Sequence, residues 1–354
     1  MKKITSLAVV GPGLIGKKHI ELINKNPLCF LSAIVAPLDD RNISFAQQCG
    51  VPLFESLESL DKSMTVDGII ISSPNIFHLE HGKFCIERKI PILLEKPICN
   101  DLKSGLELVK LEKKNSSKVL IGHHRAHSSI INVANKIIQS GKIGKIVGVT
   151  GSAQFFKPDD YFEEGPWRAV AGGGPVLINL IHEIGNLRAL CGEIDSVQAM
   201  LSNAIRGNDV EDTAVINFKF LNGALGSFIL SDTAASSKSW EQTSEENPNF
   251  YSDPTENCYL ISGTRGSLAI PSMKLNSYNS RQESSWLLPF QEEKISFAKV
   301  DPLEAQLSHF IDLIRGDIEP KVTAKDGLRN LQVVEAIYNS NFLGKTIKID
   351  NELC

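Results

Sequence analysis

The sequence predicts two folding units. The first is an α/β unit built on a doubly wound parallel sheet; an α+β unit with a mostly antiparallel, open-faced sheet follows it. Three observations carry this reading. Over the first 120 residues, short apolar runs alternate with helical segments, the pattern of a parallel sheet covered on both faces. Between the first run and the first helical segment, "VVGPGLIG" packs three glycines into eight residues. Beyond residue 125 strand-like segments follow one another and helices become rare.

The elements follow in order. "SLAVVG" (6–11) reads as a strand and 14–25 as a helix beginning at the glycines. "LSAIVA" (31–36) is a strand and Ser44–Cys49 a short helix. "DGIIISSP" (67–74) is a strand, followed by a helix over His78–Arg88. "PILLEKP" (91–97) is a strand, 101–114 a helix and "KVLIGHH" (118–124) a strand. Apolar runs of this length, separated by helices, imply right-handed crossovers. Domain boundaries are therefore expected at 1–124 and 125–354, with C-terminal helices able to pack back on the first domain.

In the second unit, Ile130–Gln139 reads as a helix ending at Ser140-Gly141. Strands are expected in "KIVGVTGSAQF", "IDSVQAMLSN", "TAVINFKFLNGALGSFILSDTA", "NCYLISGTRGSLAI" and "WLLPF", with one helix near Val176–Cys191. Asn222-Gly223 suits a two-residue hairpin turn. Residues 234–257 are polar and turn-rich, a long loop able to move or to cover a site. Helices over 303–316 and 324–344 close the chain.

Bulk properties exclude several classes. The 354 residues are 42% hydrophobic and 22% charged, with a net charge of −4 and no basic block; nucleic acid is not an expected partner. No run reaches the roughly 18 apolar residues a membrane span needs. The lysines and apolar residues of "MKKITSLAVVGPGLIG" imitate a leader, but they run straight into the glycine pattern and read better as a strand. A cytoplasmic protein is expected. The seven cysteines, at 29, 49, 85, 99, 191, 258 and 354, form no Cys-x-x-Cys pair. Neither a disulfide framework nor a structural zinc site is expected. His123, His124 and His127, and the "HLEH" run from His78 to His81, lack further ligands in the sequence, so no metal site is assigned.

Gly11, Gly13 and Gly16 have Gly-x-Gly-x-x-Gly spacing, after a strand and opening a helix. That context points to dinucleotide binding: a tight turn at Gly11, close backbone approach to a pyrophosphate at Gly13, and helix–strand packing at Gly16. Leu14 and Ile15, on the first helical turn, join this candidate set. The second strand ends in Ala36-Pro37 rather than an acidic residue, and Asp39, Asp40 and Arg41 follow late. NAD and NADP both remain open as cofactor, as does a purely solvated role for those charges.

Ligands of a doubly wound sheet bind outside the carboxyl ends of its strands. Ser72, Ser73, Pro74, Asn75 and His78 follow the third strand, Glu95, Lys96 and Pro97 end the next, and Arg125 follows the one after. A lysine there can hydrogen-bond a substrate oxygen, and its charge favours the alkoxide-like oxygen that appears as hydride moves. In the second unit, "GGGPVLINLIHEIGNLR" sets Asn179 and His182 three residues apart on one helical face, with Glu183 turned off it. Trp167 and Arg168 precede the glycines.

"GPGLIGKKH" with "LLEKP", "PWRAVAGGGPVLINLIHEIGNLRALCG" and "FIDLIRG…AKDGLRNLQVVEAIYNS" resembles the glucose-fructose oxidoreductase/inositol dehydrogenase (Gfo/Idh/MocA) family over nearly the whole chain. The resemblance implies a Rossmann domain, an open-faced sheet used in homodimer or homotetramer contacts, and NAD(P)-dependent oxidation or reduction of sugars, polyols and related small molecules. It implies that His182 exchanges the substrate proton, that Lys96 assists, and that Trp167 and Arg168 lie near the nicotinamide or substrate; Arg125 and Tyr161 are further candidates for contact. Family members often carry an aspartate one turn before the histidine. Asn179 departs from that, since an amide orients a hydroxyl but takes no proton. Two alternatives stay open: a reductase of a nucleotide-linked sugar, and a cofactor-binding sensor without turnover. Related chemistries such as imine reduction or redox-assisted glycoside cleavage complete the range.

Overall fold

The computed structural model describes residues 4–280 and 282–353; Met1–Lys3 and Cys354, which entered the leader and thiol readings, lie outside them. In chain order the elements are β1 (Thr5–Val10), α1 (Leu14–Lys25), β2 (Cys29–Val35), α2 (Asp40–Cys49), β3 (Leu53–Phe54), α3 (Leu57–Ser63), β4 (Gly68–Ile71), α4 (His78–Glu87), β5 (Ile92–Glu95), α5 (Leu102–Asn115) and β6 (Val119–Gly122). There follow α6 (Ser129–Gln139), β7 (Ile146–Gln154), α7 (Asp159–Glu163), α8 (Ile181–Cys191), β8 (Ile194–Ser202), β9 (Thr213–Phe220), β10 (Leu225–Ser231), α9 (Trp240–Thr243), β11 (Tyr259–Gly263), β12 (Gly266–Ile270), β13 (Lys274–Ser277), β14 (Gln291–Lys294), α10 (Pro302–Arg315), α11 (Ala324–Leu343) and β15 (Ile347–Lys348). The chain forms two compact units, residues 4–127 with Pro302–Leu331, and Ser128–Asp301 with Gln332–Leu353.

The first unit holds a six-stranded sheet in the order β3-β2-β1-β4-β5-β6, parallel throughout. Its strands are short apolar runs buried on both faces. Leu7, Val9, Ile34, Ile70, Leu93 and Leu120 are all fully buried, and each such side chain contributes about 1.5–3 kcal/mol relative to exposure. α10 lies against β4: a Cβ on Gly68 would sit 2.6 Å from Ile314. The first turns of α11 rest on β6, where a Cβ on Gly327 would meet Ile121 at 3.1 Å.

The second unit holds a nine-stranded sheet, β14-β13-β12-β11-β7-β10-β9-β8-β15. It is antiparallel except where β10 runs parallel to β7. Strict alternation decides its faces. On β9, Ala214, Ile216, Phe218 and Phe220 are buried, while Val215, Asn217 and Lys219 are exposed. Ile130, Ile131 and Ala134 of α6 and Ile181, Ile184 and Leu187 of α8 complete the core on the inward face. Outward, Met200, Val215 and Ile229 stand in one cross-strand row and are exposed.

Four expectations are corrected. α2 begins at Asp40, four residues before the expected start, because Asp39 caps it by accepting from the Asn42 amide at 2.8 Å. The β9–β10 turn takes three residues, Leu221–Gly223, rather than two: Phe220 pairs with Ala224, and Gly223 takes a φ of +88° that suits the bulge position of such a loop. "WLLPF" is no strand; Trp286 is exposed, and the edge strand β14 forms from the charged run after it. Residues 234–257 are not one open loop. They contain α9, and Trp240, Ser239 and Thr243 are buried, with the Trp240 indole donating to Glu246 Oε2 at 2.9 Å. The short elements β3, α3 and β15 escaped the sequence reading because two-residue strands and a seven-residue helix leave too few positions for a period to show.

Candidate active site

The first unit builds its candidate site at the carboxyl edge of the parallel sheet. Gly11 takes a φ of +81° and lies so close to Ser73 that a Cβ would stand 2.8 Å from its backbone. Gly16 meets the Gly11 carbonyl in the same way, at 2.1 Å. The Ser72 hydroxyl locks this turn by reaching the Val10 and Gly11 carbonyls, each at 2.9 Å. Gly13 differs: a Cβ there meets nothing within 4 Å. It is the N-cap of α1, and no side chain caps that helix. The first-turn amides of Leu14, Ile15 and Gly16 therefore lie beyond an open glycine face, and the Leu14 side chain is exposed. Free N–H groups at a helix N-terminus, with no side chain in the way, fit a pyrophosphate. At the tip of β2, Asp39 uses its carboxylate within α2, bonding the Asn42 amide and its Nδ2, and Arg41 is exposed.

The charged end of β5 separates into two roles. Glu95 turns inward and is buried. Its Oε1 accepts from His19 Nε2 on α1 at 2.8 Å, which fixes the proton on that nitrogen. Its Oε2 accepts from the Lys96 amide at 3.2 Å. Lys96 itself is half-buried, and the Lys96–Pro97 bond is cis. His78 sits inside the wall: Nδ1 faces the Pro97 carbonyl at 2.8 Å and Nε2 the Ser73 carbonyl at 2.9 Å. It ties the turn after β4 to the turn after β5, and burial lowers its pKa. Ser73 Oγ reaches His81 Nδ1 at 3.0 Å, Pro74 is exposed, and Asn75 is half-buried. Arg125 lies buried in the turn His124–His127. Burial holds His124 well below the ordinary histidine range, and Arg125 and Lys96 reinforce the shift.

The second unit carries its candidate residues on a short π-helical turn, Val176–Leu180, running into α8. Such turns often mark functional positions. Asn179 is half-buried, and His182 is buried with 7% exposure. The start of this run is held by Glu211, whose Oε1 accepts from the Val176 amide at 2.8 Å and from the Tyr338 hydroxyl at 3.2 Å. Burial pushes the pKa of Glu211 up. Gly174 is required by this contact, since a Cβ would lie 2.5 Å from the carboxylate. Trp167 is 56% exposed. The Arg168 guanidinium stacks on the Tyr161 ring at 3.9 Å and donates to the Tyr161 carbonyl.

The sequence reading missed Lys157, Arg206 and Asp232. Lys157 is buried just past β7, and its Nζ donates to Asn179 Oδ1 at 2.8 Å and pairs with Asp232 at 3.3 Å. Asp232 also pairs with Arg206 Nε at 3.1 Å. Burial pulls the pKa of Lys157 down, while Asp232 opposes that shift. The available signal was a charge directly after each of two apolar strands, in "QFFKPDD" and "FILSDTA".

All six described cysteines are free thiols. Burial pushes Cys85, Cys99 and Cys191 up to about 12, so these three are poor nucleophiles. Among the described residues no cluster of three or more His, Cys, Asp or Glu is placed to hold a metal, and no helix is long and apolar enough to cross a membrane.

Comparison with known proteins agrees with this architecture. The C. glutamicum inositol 2-dehydrogenase is 31% identical over 154 residues, 43% of this chain and 46% of that protein, so the match spans about half the length of that relative. The rhizopine catabolism protein MocA of Rhizobium meliloti is 21% identical over 337 residues, covering 93% of each chain. Among solved structures, the WlbA dehydrogenase from Bordetella pertussis, in complex with NADH and UDP-GlcNAcA, has a TM-score of 0.78 at 22% identity. It covers 99% of this chain and 100% of that one, and this likeness shows a shared fold. The NAD-binding Rossmann-fold model of the Gfo/Idh/MocA oxidoreductases matches residues 5–123, and the family's C-terminal α/β-domain model matches residues 135–349. The chain therefore belongs to the Gfo/Idh/MocA oxidoreductase family and carries that family's NAD-binding Rossmann fold in its first unit.

Proposed function

We propose that the chain is an NAD(P)-dependent oxidoreductase that moves hydride to or from a secondary alcohol or ketone carbon of a sugar, polyol or sugar derivative. The observation that carries this is the glycine cradle, where Gly13 faces open space at an uncapped helix N-terminus on the sheet edge that also carries Lys96. Relatives with inositol dehydrogenase and 1,5-anhydro-D-fructose reductase names support the substrate class.

The dinucleotide supplies or accepts the hydride when bound. The first-turn amides of α1 hold its phosphates, and Ser72, Ser73, Pro74 and Asn75 line the adjoining strand end. Lys96 stabilises negative charge on the substrate oxygen. His182 accepts the hydroxyl proton during oxidation and returns it during reduction, since an imidazole can both take and give a proton. Asn179 orients the substrate but takes no proton. Trp167, Arg168 and Arg125 provide further cofactor or substrate contacts. The same reading places the protein in the cytoplasm as a homodimer or homotetramer joined through the outward sheet face, where Met200, Val215 and Ile229 are exposed.

The experiment is a panel of sugars and polyols with each nicotinamide cofactor, followed by nicotinamide absorbance. Lys96→Ala should lose most turnover while keeping NADH affinity close to that of the parent. Turnover at the parental rate would remove Lys96 from the chemistry, and no turnover of any compound by the parent would favour a sensor.

A further inference from the structure

His19 and Glu95 form a buried polar pair at the end of β5, and packing alone does not explain it. His19 is 1% exposed and Glu95 6%. The ring's Nδ1 is buried and finds no hydrogen-bond partner among the described residues; an orphaned polar atom of this kind costs stability. Apolar residues of similar volume are often as stable as a buried polar pair, or more so. The fold nevertheless makes room for the carboxylate. Gly122 pairs with Glu95 across β5 and β6, and a Cβ there would stand 2.8 Å from the carboxyl carbon and 2.9 Å from Oε1.

What the pair joins is specific. Glu95 uses both oxygens: Oε1 accepts from His19 Nε2 at 2.8 Å, and Oε2 accepts from the Lys96 amide at 3.2 Å. His19 follows Gly16 by three positions and shares its face of α1. That helix starts at the open, uncapped Gly13 turn. One short chain of contacts therefore runs from α1, through His19 and Glu95, to the backbone that carries Lys96. Without His19 the carboxylate can turn, and the Lys96 amide loses a fixed acceptor.

We infer that His19, acting through Glu95, positions Lys96 for its contact with the substrate oxygen, and ties that posture to the helix whose first turn holds the dinucleotide phosphates. This rests on the oxidoreductase reading above. His19 and Glu95 are positioning residues; Lys96 is the group that touches the substrate.

The test compares His19→Leu, His19→Gln and Glu95→Gln with the parent, each as the full chain. Glutamine at 19 keeps an N–H near the place of Nε2. Glutamine at 95 keeps the carboxylate's shape but has one acceptor oxygen in place of two, so it remains readable should His19→Leu fold poorly. NADH affinity is read by fluorescence titration, and kcat and KM with the sugars and polyols that the parent turns over. Misplacing a reacting group by about 1 Å costs up to roughly a hundredfold, so kcat should fall about ten- to a hundredfold in His19→Leu and Glu95→Gln. KM and the NADH Kd should each stay within about threefold, and His19→Gln should recover most of the rate. The double variant His19→Leu/Glu95→Met removes both polar groups and should melt no lower than the parent while keeping the low rate. Hydrogen exchange at the Lys96 amide reads the contact without substrate: it should quicken at least about tenfold in His19→Leu and return close to parental in His19→Gln. A parental kcat in His19→Leu, or an equal fall of kcat and NADH affinity, would overturn the inference. So would a double variant that melts lower and works at the parental rate, since the pair would then be structural support. Should the parent bind NADH and turn over no compound, the oxidoreductase reading falls, and amide exchange alone decides this one: unchanged exchange at Lys96 in His19→Leu overturns it, while quickened exchange restored in His19→Gln upholds the link from His19 to Lys96.

Discussion

Replacing Gly13 by alanine separates a cofactor cradle from a tight structural turn. An added Cβ meets no protein atom within 4 Å, and the φ of −72° is open to alanine. Two small effects of opposite sign remain, the poorer N-cap and the lower entropy of the unfolded chain, each up to about 1 kcal/mol. The melting temperature should therefore stay within about 3 °C of the parent. The new methyl occupies the path to the amides of Leu14, Ile15 and Gly16, so NADH affinity should fall at least about tenfold, or roughly 1.4 kcal/mol. Gly16→Ala is the contrast. Its Cβ would stand 2.1 Å from the Gly11 carbonyl and 2.7 Å from Ser72 Oγ, so backbone must move. Overpacking of this kind costs about 1–3 kcal/mol or more, offset in part by the roughly 1 kcal/mol better helix propensity of alanine. That variant should lose both stability and affinity. Fluorescence titration with NADH and thermal melting read the two quantities separately. Parental NADH affinity in Gly13→Ala would refute the reasoning, leaving the loop as a turn that merely needs glycine.

Three further outcomes are expected. His182→Gln should lower the rate by about 10² to 10⁴; a parental rate would assign the proton transfer to another group. Asp232→Ala leaves Lys157 and Arg206 buried beside a lost carboxylate and should destabilise by about 3–5 kcal/mol, read by chemical denaturation; a loss below about 1 kcal/mol would show that water reaches these cations. Glu112 on α5 is pushed up to about 7 from 4.5, first by burial and then by the Asp326 carboxylate. The folded state thus holds this proton more tightly than the unfolded chain, and stability is lost as pH rises through about 7. Glu112→Gln should therefore raise the melting temperature above neutral pH, by an amount equivalent to about 1–3 kcal/mol at most, with little change in acid; an equal shift at both pH values would contradict the assignment.

Local pattern alone determined much of this protein. Short apolar runs fully buried between helices have one economical arrangement, so β1, β2, β4, β5 and β6 and their crossovers were legible. The tight turn at Gly11 and the close packing at Gly16 were legible through spacing and context, and strict alternation marked both faces of β9. Asn179 and His182, three residues apart, stood in the sequence as well. Tertiary structure decided what depends on partners far apart in the chain. The parallel register of β10 on β7 brings Lys157 to Asp232 across seventy-five positions, and no periodicity encodes that pairing. The same holds for His78: the sequence offers it as a cofactor-site candidate after a strand, and only the fold shows its contacts bracing two strand-end turns. "WLLPF" shows the reverse: its composition suits a core strand, but hydrophobicity buries a segment only where another surface is available to receive it, and here Trp286 remains in solvent.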